Sequence, residues 1–200
     1  MSKAWEPIEG ETPFDISELK DKGITTRELL NRVEAENVRK ATTKYLSAKP
    51  SRRSAPFNYA WALRVHREMF GNVWKWAGKP RQRDLNIGVP WAQVQTDLEA
   101  LFLDISYWKP SKDSILEDAV TIHYRAVFIH PFQGGNGRWS RLLSNVWLKL
   151  HEYPVIEWPS EVGTSESSIR KEYILALQAA DRHVMEPLTE LHGRHWPFAG

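Results

Sequence analysis

His130-Pro131-Phe132-Gln133-Gly134-Gly135-Asn136-Gly137-Arg138-Trp139-Ser140-Arg141 gathers an imidazole, three glycines, an amide and two guanidiniums in one short stretch. The apolar run Ala126-Val127-Phe128-Ile129 leads into His130. Pro131 ends regular helix there, because it lacks an N–H and restricts the residue before it. The imidazole is thus expected at the edge of an element. Gly134, Gly135 and Gly137 permit positive φ and close approach to a ligand, and apolar residues recur at helical spacing from Arg138 to Leu150. The loop is therefore expected to open a helix. A glycine-rich turn entering a helix N-terminus aims free N–H groups and a partial positive charge at one place, which suits phosphate. Arg138 and Arg141 lie three apart and can lean toward the same end, where an anion would relieve their conflict with the helix dipole. A histidine beside such a cradle reads as a general base. At this level three other roles stay open: His130 as a capping histidine bonded to a carbonyl, Asn136 as a left-handed turn residue, and the arginines as solvated partners of acids such as Glu152.

Outward from the loop, the pattern is helical. Asp113 or Ser114 can cap a helix that turns Ile115, Ala119, Ile122, Ala126 and Ile129 inward and delivers His130 at its end. Before it, Pro90 suits the start of a helix to about Trp108, with Val94, Leu98, Leu101 and Ile105 inside. Trp61, Val65 and Met69 mark one stripe of a helix over about 57–70, which Gly71 stops. Thr25 or Thr26 caps a further helix reaching about Ser47. Lys79 to Gly88 is polar and Gly-bounded, with too few apolar residues for a buried strand, and is expected to form a short exposed hairpin. Toward the C-terminus a helix is expected over about 165–183, and a short one after Pro187. The fold class is all-α, a helical bundle with one small β-hairpin flap. An N-terminal arm over residues 1–23 precedes one domain over 24–200.

Twenty-seven Lys and Arg face 25 Asp and Glu, a formal charge of +2, so no field suited to nucleic acid or a membrane surface follows. Cysteine is absent, which excludes disulfides and thiolate metal sites and fits a reducing compartment. The N-terminus is polar and no apolar run approaches the ~20 residues of a membrane span. A soluble, cytoplasmic protein is expected. Ten tryptophans are expected to fill core. His123, two turns before His130 on the same helix as Glu117, could be imagined as one of a metal-binding His pair; nothing supplies the remaining ligands, so it reads as packing.

The loop resembles the signature of the Fic family, His-Pro-Phe-x-(Asp or Glu)-Gly-Asn-Gly-Arg-x-x-Arg. Every specified position matches except Gly134. Trp76-Ala77-Gly78-Lys79 and Asn86-Ile87-Gly88 resemble the family's flap, and Tyr173-x-x-Ala176-Leu177-x-x-Ala180-Asp181 resembles its C-terminal helix. Ile24-Thr25-Thr26, Asn86-Ile87-Gly88-Val89-Pro90-Trp91 and the non-acidic loop position look most like the Fic subfamily called mobile mystery protein B.

The resemblance implies a Fic-type bundle and a protein adenylyltransferase, which moves AMP from ATP, its cosubstrate, to a hydroxyl side chain of a target protein. It implies that His130 is the base, that Asn136 and the Gly135 and Gly137 amides hold phosphate oxygens, and that Arg138 and Arg141 bind the remaining phosphates. It assigns target docking to Asn86 and Ile87, by strand addition. Gly134 stands where the family's acidic residue holds Mg²⁺. With only Gln133 beside it to offer a neutral oxygen, metal binding is expected to be weakened. Two alternatives follow from Gly134: phosphate transfer, as in the related Doc branch, or a degenerate nucleotide-binding module without catalysis. The resemblance leaves room for a toxin-like role with an antitoxin partner, or for self-association. Glu36-Asn37, in the helix over about 25–47, fits the end of the family's inhibitory motif, whose glutamate pairs with the arginine at the Arg141 position, although Arg32 replaces its Ser or Thr. A solvated helix face is the competing reading of Glu36.

Overall fold

A computed structural model describes residues 15–159, 162 and 167–198. Seven α-helices build it: α1 (Arg27–Leu46), α2 (Tyr59–Phe70), α3 (Val94–Tyr107), α4 (Ile115–Ile129), α5 (Asn136–Leu150), α6 (Ser168–Ala180) and α7 (Glu186–Arg194). Their starts follow local chemistry. The side chains of Thr26, Asn58 and Ser167 accept from Leu29, Trp61 and Arg170 N–H groups, which satisfies donors that a helix start leaves open. No helix among the described residues is long and apolar enough to cross a membrane.

The helices α4 and α5 make the most extensive contact; α1 and α2 pack on each other and on α5, α3 packs on α4 and α2, and α6 packs on α7, which lies against α4. Trp61, Trp139 and Trp147 are fully buried, and the indole N–H of Trp139 donates to the Ala62 carbonyl at 3.1 Å, tying α5 to α2. A smaller cluster under α6 and α7 includes Val120, Tyr173, Ala176, Leu188 and Leu191.

Two expectations change. No strand pair forms over 79–88 among the described residues, whose isolated β-bridge joins Leu19 to Trp74. The physical reason is Arg81, whose side chain is buried and whose guanidinium takes the Arg83 and Val89 carbonyls, acceptors that a hairpin would need. Pro80 and Pro90 at the ends of the segment bring no N–H to a ladder. The expected arm is also partly docked. Residues 1–14 lie outside the described set, but Leu19 is buried, Lys20 N–H donates to the Val73 carbonyl at 2.9 Å, and Lys75 N–H donates to the Glu18 carbonyl at 3.0 Å.

Candidate active site

His130 is the residue after α4 and takes a left-handed conformation, φ 51° and ψ 60°. Pro131 cannot extend the helix, and the turn swings the chain from α4 toward α5. The same turn is clamped from the 79–91 segment. Arg81 Nε donates to the His130 carbonyl at 2.8 Å and Nη2 to the Ile129 carbonyl at 3.4 Å, while Arg81 N–H donates to the Pro131 carbonyl at 2.9 Å. Gly88, at φ 93°, lies against the histidine: a Cβ built there would stand 2.6 Å from the His130 Cβ. Burial, seconded by the Arg81 cation and opposed by a hydrogen bond with the Val127 backbone, pushes the His130 imidazole down to about 4. It is therefore neutral at pH 7, the form a general base needs.

The loop is braced from within and from α2. Asn136 Oδ1 accepts from Phe132 N–H at 3.0 Å, and its Nδ2 donates to the Phe132 carbonyl at 2.9 Å, so the buried amide closes the loop on itself. That leaves one Asn136 N–H for a ligand. Of the three loop glycines, only Gly135 has positive φ, 76°; a Cβ there would meet the Phe70 ring at 2.6 Å. Gly137 already lies in α5. Gln133 is half-buried.

Position 134 carries glycine where the family has an acid. Gly78 N–H donates to His66 Nδ1 at 2.9 Å, so Nε2 carries the proton and donates to the Gly134 carbonyl at 3.0 Å. The His66 ring stacks on Phe132, centroids 3.5 Å apart. Burial pushes His66 down to about 3, so it stays neutral. The Trp76 ring would lie 3.2 Å from a Cβ at position 134. Mg²⁺ is ordinarily held by one or two carboxylates together with substrate phosphates and water, and Gly134 brings no carboxylate to this position. The residues present do not fit a protein-held Mg²⁺ at this position.

The two arginines diverge in their partners. Arg138 Nη1 donates to Glu34 Oε2 of α1 at 2.7 Å and its guanidinium lies over Phe70, 4.7 Å from the ring centroid. Arg141 lies between Trp158 and Tyr173, 5.5 and 5.4 Å from their centroids. Burial lowers its pKa first, Tyr173 opposes, and the Arg138 charge adds to the lowering. Glu36 does not reach it: its carboxylate pairs with Arg39 and Lys40 on the exposed face of α1. The buried acid of that helix is Glu34, which also accepts from the Trp74 indole. Asn86 and Ile87 are exposed in the 79–91 segment. Sequence reasoning missed Glu34, His66 and Arg81. For His66 one signal was present: it follows Val65 on the stripe that faces the core.

A Fic/DOC family model matches residues 56–148. "Protein adenylyltransferase Fic" from Aedes aegypti is 32% identical over 121 residues, covering 58% of this chain and 24% of that protein. "Protein adenylyltransferase fic-1" from Caenorhabditis briggsae is 31% identical over 140 residues, covering 66% of this chain and 26% of that protein. The chain spans about a quarter of the length of these relatives. Among solved structures, Fic-1 from C. elegans superposes with TM-score 0.66 at 23% identity, over 90% of this chain and 52% of that one. BepC from Bartonella tribocorum, solved with AMPPNP, superposes with TM-score 0.69 at 18% identity, over 94% and 93%. The matched span runs from the approach to α2 through the whole 130–141 loop and nearly all of α5, so residues 56–148 of this chain form a Fic/DOC family segment.

Proposed function

We propose that the chain transfers AMP from ATP to a hydroxyl side chain of a protein docked at the exposed Asn86 and Ile87. The observation that carries this reading is His130: a buried, neutral imidazole held by Arg81 and Gly88 at the entrance to a helix whose first turns carry Arg138 and Arg141. His130 takes the hydroxyl proton, the oxygen attacks the α-phosphorus, and pyrophosphate leaves. Arg138, Arg141 and the amides at the start of α5 balance the phosphate charge. The names of the relatives support the reaction class, since they are protein adenylyltransferases.

A second reading, phosphate transfer or nucleotide binding without transfer, is favoured by Gly134, because the charge pattern around the phosphates lacks the family's acid there. Incubation with ATP and a lysate, followed by mass spectrometry of modified peptides, separates them. Adenylyl adducts are expected; phosphoryl adducts, or bound ATP with no adduct, would replace the first reading with the second.

A further inference from the structure

Behind Arg141 runs a chain of buried polar groups that the transfer reaction does not use. His192 Nδ1 lies 2.6 Å from the Leu188 carbonyl, His192 Nε2 lies 2.7 Å from His123 Nδ1, and His123 Nε2 lies 3.0 Å from Tyr173 Oη. The Tyr173 side chain in turn borders the Arg141 guanidinium, which lies 5.4 Å from its ring centroid and interacts electrostatically with it. An atom placed as a Cβ on Gly137 would stand 3.3 Å from that hydroxyl and 3.7 Å from Arg141 Nη1, so both groups border the first turn of α5. Both histidines are fully buried and Tyr173 nearly so, and Trp158 packs edge-on to His123 and His192.

The two ends of this chain fix its direction. A carbonyl only accepts and a guanidinium only donates, while a neutral imidazole has one donor and one acceptor. The Leu188 carbonyl therefore places a proton on His192 Nδ1, leaving Nε2 to accept. His123 must donate from Nδ1, leaving its Nε2 to accept the Tyr173 O–H. The tyrosine then has only lone pairs to offer Arg141. Burial and neighbouring cations lower both histidines, His192 to about 4, which keeps them neutral.

We infer that His192, His123 and Tyr173 form a one-way hydrogen-bond relay that holds the Arg141 guanidinium in its phosphate-binding orientation, with His123 and His192 as positioning residues. The inference rests on the phosphate-binding role proposed above for Arg141. Because His123 lies in α4 and His130 directly follows its last residue, one helix sets both the base and, through the relay, the arginine. A guanidinium anchored on one side by an acceptor that cannot rotate into a donor presents its remaining N–H groups with less freedom to lose on binding.

Two measurements test it. Long-range ¹⁵N NMR on the wild-type chain at neutral pH should show both histidines neutral and protonated at Nδ1; an Nε2-protonated His123, or a charged one, would overturn the relay. Calorimetry with ATP should show about a tenfold weaker Kd for Tyr173→Phe, which keeps the ring but not the acceptor. That loss should vanish in an Arg141→Ala background. An equal loss in both backgrounds would show that the tyrosine acts on something other than Arg141. If Tyr173→Phe fails to fold, the wild-type tautomers decide. Expected tautomers and coupling in a chain that modifies no protein would leave the relay standing and remove the transfer reaction.

Discussion

The Glu34 carboxylate of α1 stands 2.7 Å from Arg138 Nη1, so one of the two cations at the start of α5 already has a counter-ion. Glu34 is largely buried and Arg138 partly so, which makes the pair stronger than a surface one. A phosphate binding at Arg138 must share or displace that carboxylate. Glu34→Gln should tighten ATP about fivefold in calorimetry, within the range of a partly screened charge pair. Glu36→Gln, which touches only Arg39 and Lys40, should leave the Kd unchanged. A larger effect at Glu36 than at Glu34 would return the inhibitory role to Glu36.

Gly88 has no room for a side chain. Its φ of 93° strains any L-residue, and a Cβ would press on His130. Gly88→Ala should therefore lower transfer by tenfold or more, through displacement of the base, with far less effect on ATP affinity. A transfer rate near wild type would show that the histidine's position does not depend on this contact.

His66 binds the loop through two hydrogen bonds that phenylalanine cannot make. His66→Phe keeps the stacking on Phe132 but leaves the Gly78 N–H and the Gly134 carbonyl without that partner. Chemical denaturation should show a loss of about 2–4 kcal/mol; a loss below 1 kcal/mol would mean that water or a shifted loop satisfies both groups.

The buried histidines give stability a definite pH direction. His66, His130 and His192 are pushed from the ordinary histidine range to about 3, 4 and 4, so between those values and about 6.5 the unfolded chain binds more protons than the folded one. Their contribution is complete above about 6.5 and is lost as pH falls toward 4, at up to about 1.4 kcal/mol per pH unit for each group. Thermal melts from pH 7 to 4 should fall progressively. A flat profile would indicate histidines that protonate without unfolding.

The helices are legible in the sequence because local rules decide them. Thr26 caps α1, the 115–129 pattern points α4 inward, and Pro131 stops helical structure after His130. The loop's position and the base candidate follow from the same rules. What is not legible depends on distant partners. Arg81 sits in a polar stretch and looks like a solvated cation until the turn at His130 supplies its carbonyls. Glu34 and Glu36 are indistinguishable by type, and the packing of α1 against α2 and α5 selects which is buried. His123 reads as packing along its helix, and only the approach of α6 and α7 makes it a link between two other residues.

The central claim, that His130 is the base of a nucleotide transfer, is tested most directly by incubating wild type and His130→Ala with ATP labelled at the α-phosphate and a lysate. Wild type should label a protein covalently, and His130→Ala should bind ATP with similar affinity yet lose labelling by at least a hundredfold. Equal labelling by the two proteins would contradict a base role for His130.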